Sequence, residues 1–179
     1  MSYPLDFAHY ALEFSDGGRS NKHYNATLLI APNGMSILVK RWGKIGSIGE
    51  MKVEKFAIQK KAESEFEKIV QSKLGKGYET RSHNMKQINA EGELRMAFGP
   101  AVWPKLPGSA LEHVLPGFDT AGRKELGETR FDENGKFKGD PAPRVFSQAE
   151  IAAARAAERL AAQEEAQKTY AVNPNFGRF

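Results

Sequence analysis

The hydrophobic period of this chain changes once in its first half, and that change confines the fold to strands followed by a helix. FAHYALEFS (7–15), HYNATLLIA (23–31) and MSILVKRW (35–42) alternate apolar and polar positions closely enough for strands, and EMKVEKFA (50–57) adds a fourth. In the second of these, Tyr24, Ala26, Leu28 and Ile30 fall on one face. DGGRSN (16–21) turns the chain, and PNG (32–34) is a hairpin signal. KKAESEFEKIVQSKLGKG (60–77) then places Ala62, Phe66, Ile69, Val70 and Leu74 at helical spacing, with Gly75 and Gly77 as stops. Half-buried strands and one amphipathic helix must cover each other. The expected fold class is α+β, a small antiparallel β-sheet with one helix packed across it.

Beyond residue 79 the signals weaken. Residues 80–145 hold six prolines and eight glycines, which argues against long regular elements. They also hold Met96, Phe98, Trp103, Leu106, Leu111, Leu115 and Phe118, too many apolar groups for a solvated linker. An irregular strap that packs on its own domain or on a partner is expected. Trp103, beside Pro104, can serve either. Residues 146–171 read as an alanine-rich helix opened by a capping box, with Ser147 as N-cap, Glu150 at N3 and Phe146 and Ile151 as the hydrophobic staple. The tail 172–179 is expected to be flexible and carries two phenylalanines. The expected organisation is therefore 1–79, 80–145, 146–171 and 172–179.

Composition narrows the function classes. There is no cysteine, so disulfides, thiolate metal sites and cysteine nucleophiles are excluded, and a reducing compartment fits. Neither a secretory leader nor a membrane-length apolar run is visible, which makes a cytoplasmic location the expectation. The four histidines, His9, His23, His83 and His113, show no metal-ligand spacing. GKG at 75–77 is too short for a phosphate loop, and no G-x-S-x-G elbow occurs. The protein is expected to be no enzyme and to need no metal or cofactor. The net charge is +4, and residues 1–79 supply most of it, with 12 Lys/Arg against 9 Asp/Glu. That bias permits a polyanionic partner.

The basic excess is concentrated around KRWGKIGSIG (40–49), an indole among three cations followed by spaced glycines. Nucleic acid suits such a surface. An indole can lie on a base or sugar for about 1–3 kcal/mol without reading sequence. Lys40, Arg41 and Lys44 can neutralise phosphates, each adding about 0.9 to the salt slope on duplex DNA. Gly43, Gly46 and Gly49 let backbone N–H groups approach an anion. The alternative is a core role. Period two puts Leu38, Lys40 and Trp42 on one face and Ile37, Val39 and Arg41 on the other, so Trp42 can equally close the end of a core. Asn21 can be a plain turn residue, and Tyr78 a core residue.

Four blocks taken in order, SNKHYNATLLI, LVKRWGKIGSIGE, KAESEFEKIV and SKLGKGYE, resemble the WGR domain over about residues 7–79. That family is named for a Trp-Gly-Arg signature and occurs in poly(ADP-ribose) polymerases and in small bacterial proteins. The resemblance implies a sheet-plus-helix module that binds DNA at breaks. In it the tryptophan packs on a sugar near a strand end, while polar and basic neighbours hold phosphate. It assigns the signature tryptophan and glycine to Trp42 and Gly43, the preceding pair to Asn21 and Lys22, and the aromatic after the helix to Tyr78. Lys44 stands where the signature has arginine, which keeps the charge but loses the planar five-donor fork. No room remains for a polymerase catalytic domain, so the resemblance implies binding without catalysis.

The expected site is Asn21, Lys22, Lys40, Arg41, Trp42, Gly43, Lys44 and Tyr78, with DNA or another nucleic acid as partner and no membrane. The function expected is recognition of DNA ends, nicks or junctions. The alternative is a structural or adaptor protein of a bacterial or bacteriophage assembly, binding proteins or itself through residues 80–179.

Overall fold

A computed structural model describes residues 3–18, 20–139, 155–160 and 163. The chain divides into two units, Met1–Lys138 and Gly139–Phe179. In the second, residues 155–160 are helical and exposed, within the helix expected over 146–171. The capping box at Ser147–Glu150 and the tail 172–179 lie outside the described residues.

The first unit is built on a five-stranded antiparallel sheet. Its strands are β1 (Leu5–Ser15), β2 (Asn21–Ile30), β3 (Ser36–Lys44), β4 (Glu50–Phe56) and β5 (Glu79–Ile88), in the order β4-β3-β2-β1-β5. The first four follow one another as neighbours, as short hairpin connections dictate. Gly34, at φ 83°, turns the second hairpin, with its N–H donating to the Ala31 carbonyl at 2.8 Å. Helix α1 (Gln59–Leu74) then carries the chain from β4 at one edge to β5 at the other. The α+β class read from the periodicity holds.

The strand β5 and two short helices fall where the sequence predicted an irregular strap. ETRSHNMKQI has no alternation to reveal a strand, and only Ile88 is buried. It forms because β1 offers an open edge, pairing from Leu5↔Ile88 to Glu13↔Glu79 with a bulge at Ala11/Leu12. After it come α2 (Glu91–Phe98), a single 3₁₀ turn (Trp103–Lys105) and α3 (Gly108–Val114).

The sheet is covered on both faces. On one, Ala62, Phe66, Ile69 and Val70 of α1 pack onto Leu12, Tyr24, Ala26, Leu28, Ile30, Leu38 and Trp42. On the other, Leu94, Val102, Trp103, Leu106, Leu111, Val114, Leu115 and Phe118 pack onto Leu5, Phe7, Leu29, Ile37, Val39 and Met51. The strap therefore packs on its own domain. Arg123 ties it down: Nη1 donates to the carbonyls of Trp103 (2.8 Å) and Leu106 (3.1 Å), and the guanidinium lies 4.5 Å from the Trp103 ring. No helix among the described residues is long and apolar enough to cross a membrane.

Candidate functional site

The antiparallel register of β2 and β3 brings two separated motifs together. Lys22 pairs with Lys44, His23 with Gly43, and Tyr24 with Trp42. Alternate side chains share a face, so Lys22, Tyr24, Lys40, Trp42 and Lys44 all point to the α1 side and Arg41 to the other.

The loop 44–49 folds back on its own strand, and this gives its glycines a steric purpose. Gly49 has φ 72°, and a Cβ there would lie 2.2 Å from the Trp42 carbonyl oxygen. A Cβ on Gly43 would lie 2.8 Å from the Gly49 Cα. Gly43 and Gly49 thus allow backbone to pack on backbone, rather than opening N–H groups to an anion as their spacing led us to expect. The Ser47 hydroxyl and N–H both donate to the Lys44 carbonyl, at 2.7 and 3.0 Å.

The sequence expectation of an exposed indole is not met. Trp42 is only 4% exposed and lies near-parallel to the Tyr24 ring, with centroids 6.3 Å apart. Its Nε1–H is buried without a hydrogen-bond partner. Nearby, His23 donates from Nδ1 to the Lys44 carbonyl at 3.0 Å, and its buried Nε2 has no partner either. Burial lowers the His23 pKa and favours the neutral ring.

Lys40, expected to face phosphate, is buried as well, at 3% exposed. Its Nζ lies 2.8 Å from Glu54 Oε1 and 2.9 Å from Glu133 Oε1. Burial alone would lower its pKa, but the hydrogen bonds to these carboxylates outweigh it and the net direction is upward. Arg41 is half-buried on the face opposite Lys40 and Trp42.

What closes the site is a turn with no counterpart in the sequence expectation. Phe131 and Phe137 form a bridge, with their rings 5.5 Å apart, and between them runs DENGK. The Glu133 carboxylate accepts the Tyr24 hydroxyl at 2.9 Å through Oε2, and its carbonyl accepts the Lys73 ammonium. Asn134 Oδ1 accepts Lys76 Nζ at 2.6 Å. Lys73 also sits 4.3 Å from the Tyr24 ring centroid, and burial, helped by Lys76, depresses its pKa to about 8. Burial, with Glu133 beside it, raises the Tyr24 pKa, which keeps the phenol a donor.

Around this turn lies a cavity of about 580 Å³ lined by Asn21, Lys22, Trp42, Gly43, Lys44 and Tyr78 on one side and Phe131, Glu133, Asn134 and Gly135 on the other. Six of the eight predicted residues therefore meet at one place. A second cavity, of about 440 Å³, shares Trp42 and Glu133 with the first and includes Lys52, Lys55 and Lys138. Among the described residues no group of acidic or histidine side chains is arranged to hold a metal.

Sequence reasoning missed Tyr24, Lys73, Lys76 and Glu133. The Asn-Gly step between two phenylalanines was the available signal for the turn. Its docking place, more than a hundred residues away along the chain, had none.

Residues 8–85 match the family model of the WGR domain. The match ends inside β5, at residue 85, and so reaches past the boundary at residue 79 expected from sequence into the strand that completes the sheet. No curated protein and no solved structure matches the chain.

Proposed function

We propose that this protein binds DNA without catalysis, at ends, nicks or junctions, through the surface around Trp42; the match of residues 8–85 to the WGR domain, a family of nucleic-acid-binding modules, supports the reading. The observation that supports this most is the 580 Å³ cavity, whose lining brings Trp42 and Tyr78 together with Asn21, Lys22 and Lys44. The half-buried Tyr78 ring offers its face to a terminal sugar or base, and the Lys22 and Lys44 ammonium groups take the adjoining phosphates. Lysine at position 44 serves as a point charge for phosphate, without the bidentate geometry of arginine. Nothing at the site offers several base-reading side chains in a groove-sized element, so recognition is of structure rather than sequence.

An adaptor role is the alternative, and the burial of Trp42 and Lys40 favours it. On that account the domain is a folding unit, and protein contacts are made by residues 80–179.

Anisotropy titrations with nicked, blunt and single-stranded DNA separate the two. The DNA account predicts tightest binding to the nicked or blunt probe. It also predicts a salt slope that falls by about 0.9 for each of Lys22→Ala and Lys44→Ala. Absence of binding to every probe, together with self-association of the full chain, would establish the adaptor role instead.

A further inference from the structure

The turn at Asp132–Gly135 occupies the place where the proposed ligand would sit. Three of the surrounding ammonium groups already hold its oxygens: Lys40 the Glu133 carboxylate, Lys73 the Glu133 carbonyl and Lys76 the Asn134 amide oxygen. A fourth, Lys22, lies so close that a Cβ on Gly135 would be 3.4 Å from its Nζ. The two oxygens of Glu133 bridge Lys40 and the Tyr24 hydroxyl, as two non-bridging oxygens of one phosphate would. Glu133 also lines both cavities beside Trp42, and a third, of about 370 Å³, at Lys73 and Lys76. One side chain thus borders three cavities that each carry lysines.

The turn is built to move as a piece. Asp132 spends its carboxylate inside it, with Oδ1 accepting the N–H groups of Asn134 (2.9 Å) and Lys136 (2.8 Å). Its backbone closes through Asp132 N–H to the Lys136 carbonyl and Gly135 N–H to the Asp132 carbonyl, both at 2.9 Å. These bonds survive detachment, whereas the contacts of Glu133 and Asn134 exchange for contacts with phosphate. The chain leading to it from residue 119 to 129 contains no helix or strand, and its fastenings to the strap, Arg123 to the Trp103 and Leu106 carbonyls and Glu125 to Ser109, all precede residue 126, so the turn can swing from there. Underneath waits an indole N–H with no partner, which a ligand oxygen would satisfy.

We propose that the Asp132–Gly135 turn is an intrachain phosphate mimic that holds the nucleic-acid site closed, so that DNA binds by displacing it. This rests on the DNA-binding function proposed above. In the displaced state Trp42, Tyr24 and Lys40 face the ligand, and the three cavities join.

The test uses the full chain and a nicked duplex. Glu133→Gln keeps the shape and removes the competing charge; it should tighten binding about fivefold or more. Glu112→Gln, on the exposed side of α3, changes the net charge equally and should leave affinity unchanged. A closed form comes from Asn134→Cys with Lys76→Cys joined by a short bis-maleimide, specific because the chain has no other cysteine; it should bind at least tenfold more weakly than the same double variant left unlinked. When DNA is added to the wild type, the Asn134 side-chain amide resonance should shift as Lys76 releases it, while hydrogen exchange at the Asp132 and Gly135 amides, bonded within the turn, stays unchanged.

If wild type, Glu133→Gln and the tethered form bind alike, the turn is not a plug, although DNA binding stands. Equal tightening by Glu112→Gln would likewise reduce the effect to net charge and overturn the mimic. If no form binds DNA, the proposed function itself fails and the mimic with it.

Discussion

Lys40 Nζ lies 2.9 Å from Glu133 Oε1, joining the middle of the third strand to a turn 93 residues further along the chain. With Glu54 on its other side, the ammonium is buried between two carboxylates that each keep some solvent contact. Removing one member of such a cluster costs more than the attraction itself, because the remaining charges stay partly desolvated.

Lys40→Met tests that cluster. Glu54 retains Lys52 at 2.7 Å and Glu133 retains the Tyr24 hydroxyl, so the cost should be moderate. A loss of about 1–3 kcal/mol is expected in urea unfolding. An unchanged midpoint would show that the ion pairs hold nothing together.

The glycines of the signature loop should divide by what surrounds them. Gly49→Ala places a Cβ 2.2 Å from the Trp42 carbonyl oxygen at φ 72°, so strain and clash add. A loss above about 2 kcal/mol is expected. Gly46→Ala meets open space at φ 86° and should cost only the left-handed backbone penalty, about 1–2 kcal/mol. Equal melting temperatures for the two variants would contradict the close backbone approach.

His9 should make the fold sensitive to acid. It contacts the Thr27 hydroxyl at 2.8 Å, and burial, with Arg41 and His83 adding to it, lowers its pKa from 6.5 to about 4. The unfolded chain binds a proton between those values and the folded chain does not. The contribution is therefore fully present above pH 6.5 and is lost as the pH falls towards 4. Thermal unfolding from pH 7 to 5 should show a falling melting temperature, and His9→Asn should flatten the slope. An unflattened slope would assign the effect to other groups.

Much of the sheet and half of the site were legible because both follow from local alternation. Period two in β2 and β3 and the hairpin between them fix which of Lys22, Trp42 and Lys44 share a face. The spacing of Ala62, Phe66 and Ile69 fixes the buried side of α1. Strand β5 was illegible because its support is main-chain pairing with β1, to which Thr80, His83 and Met85 contribute no pattern. The strap was hidden by its own brakes: Leu94 and Leu111 are fully buried, but in helices of eight and seven residues, and Leu106, also fully buried, lies between them with Pro104 and Pro107 on either side. The burial of Lys40 was the least readable feature. A lysine on a strand gives no sign that Glu133 will come to meet it.

The account stands on the Trp42 surface meeting nucleic acid. Truncating that ring cannot test it, because deleting a buried tryptophan costs about 3–5 kcal/mol in folding alone. The direct measurement is a ¹⁵N-resolved spectrum of the two indole N–H groups, Trp42 and Trp103, during titration with nicked duplex. A shift of the Trp42 resonance with Trp103 unmoved, at a protein-to-DNA ratio that saturates, is the predicted result. A Trp42 resonance that stays in place while the DNA is bound would contradict it.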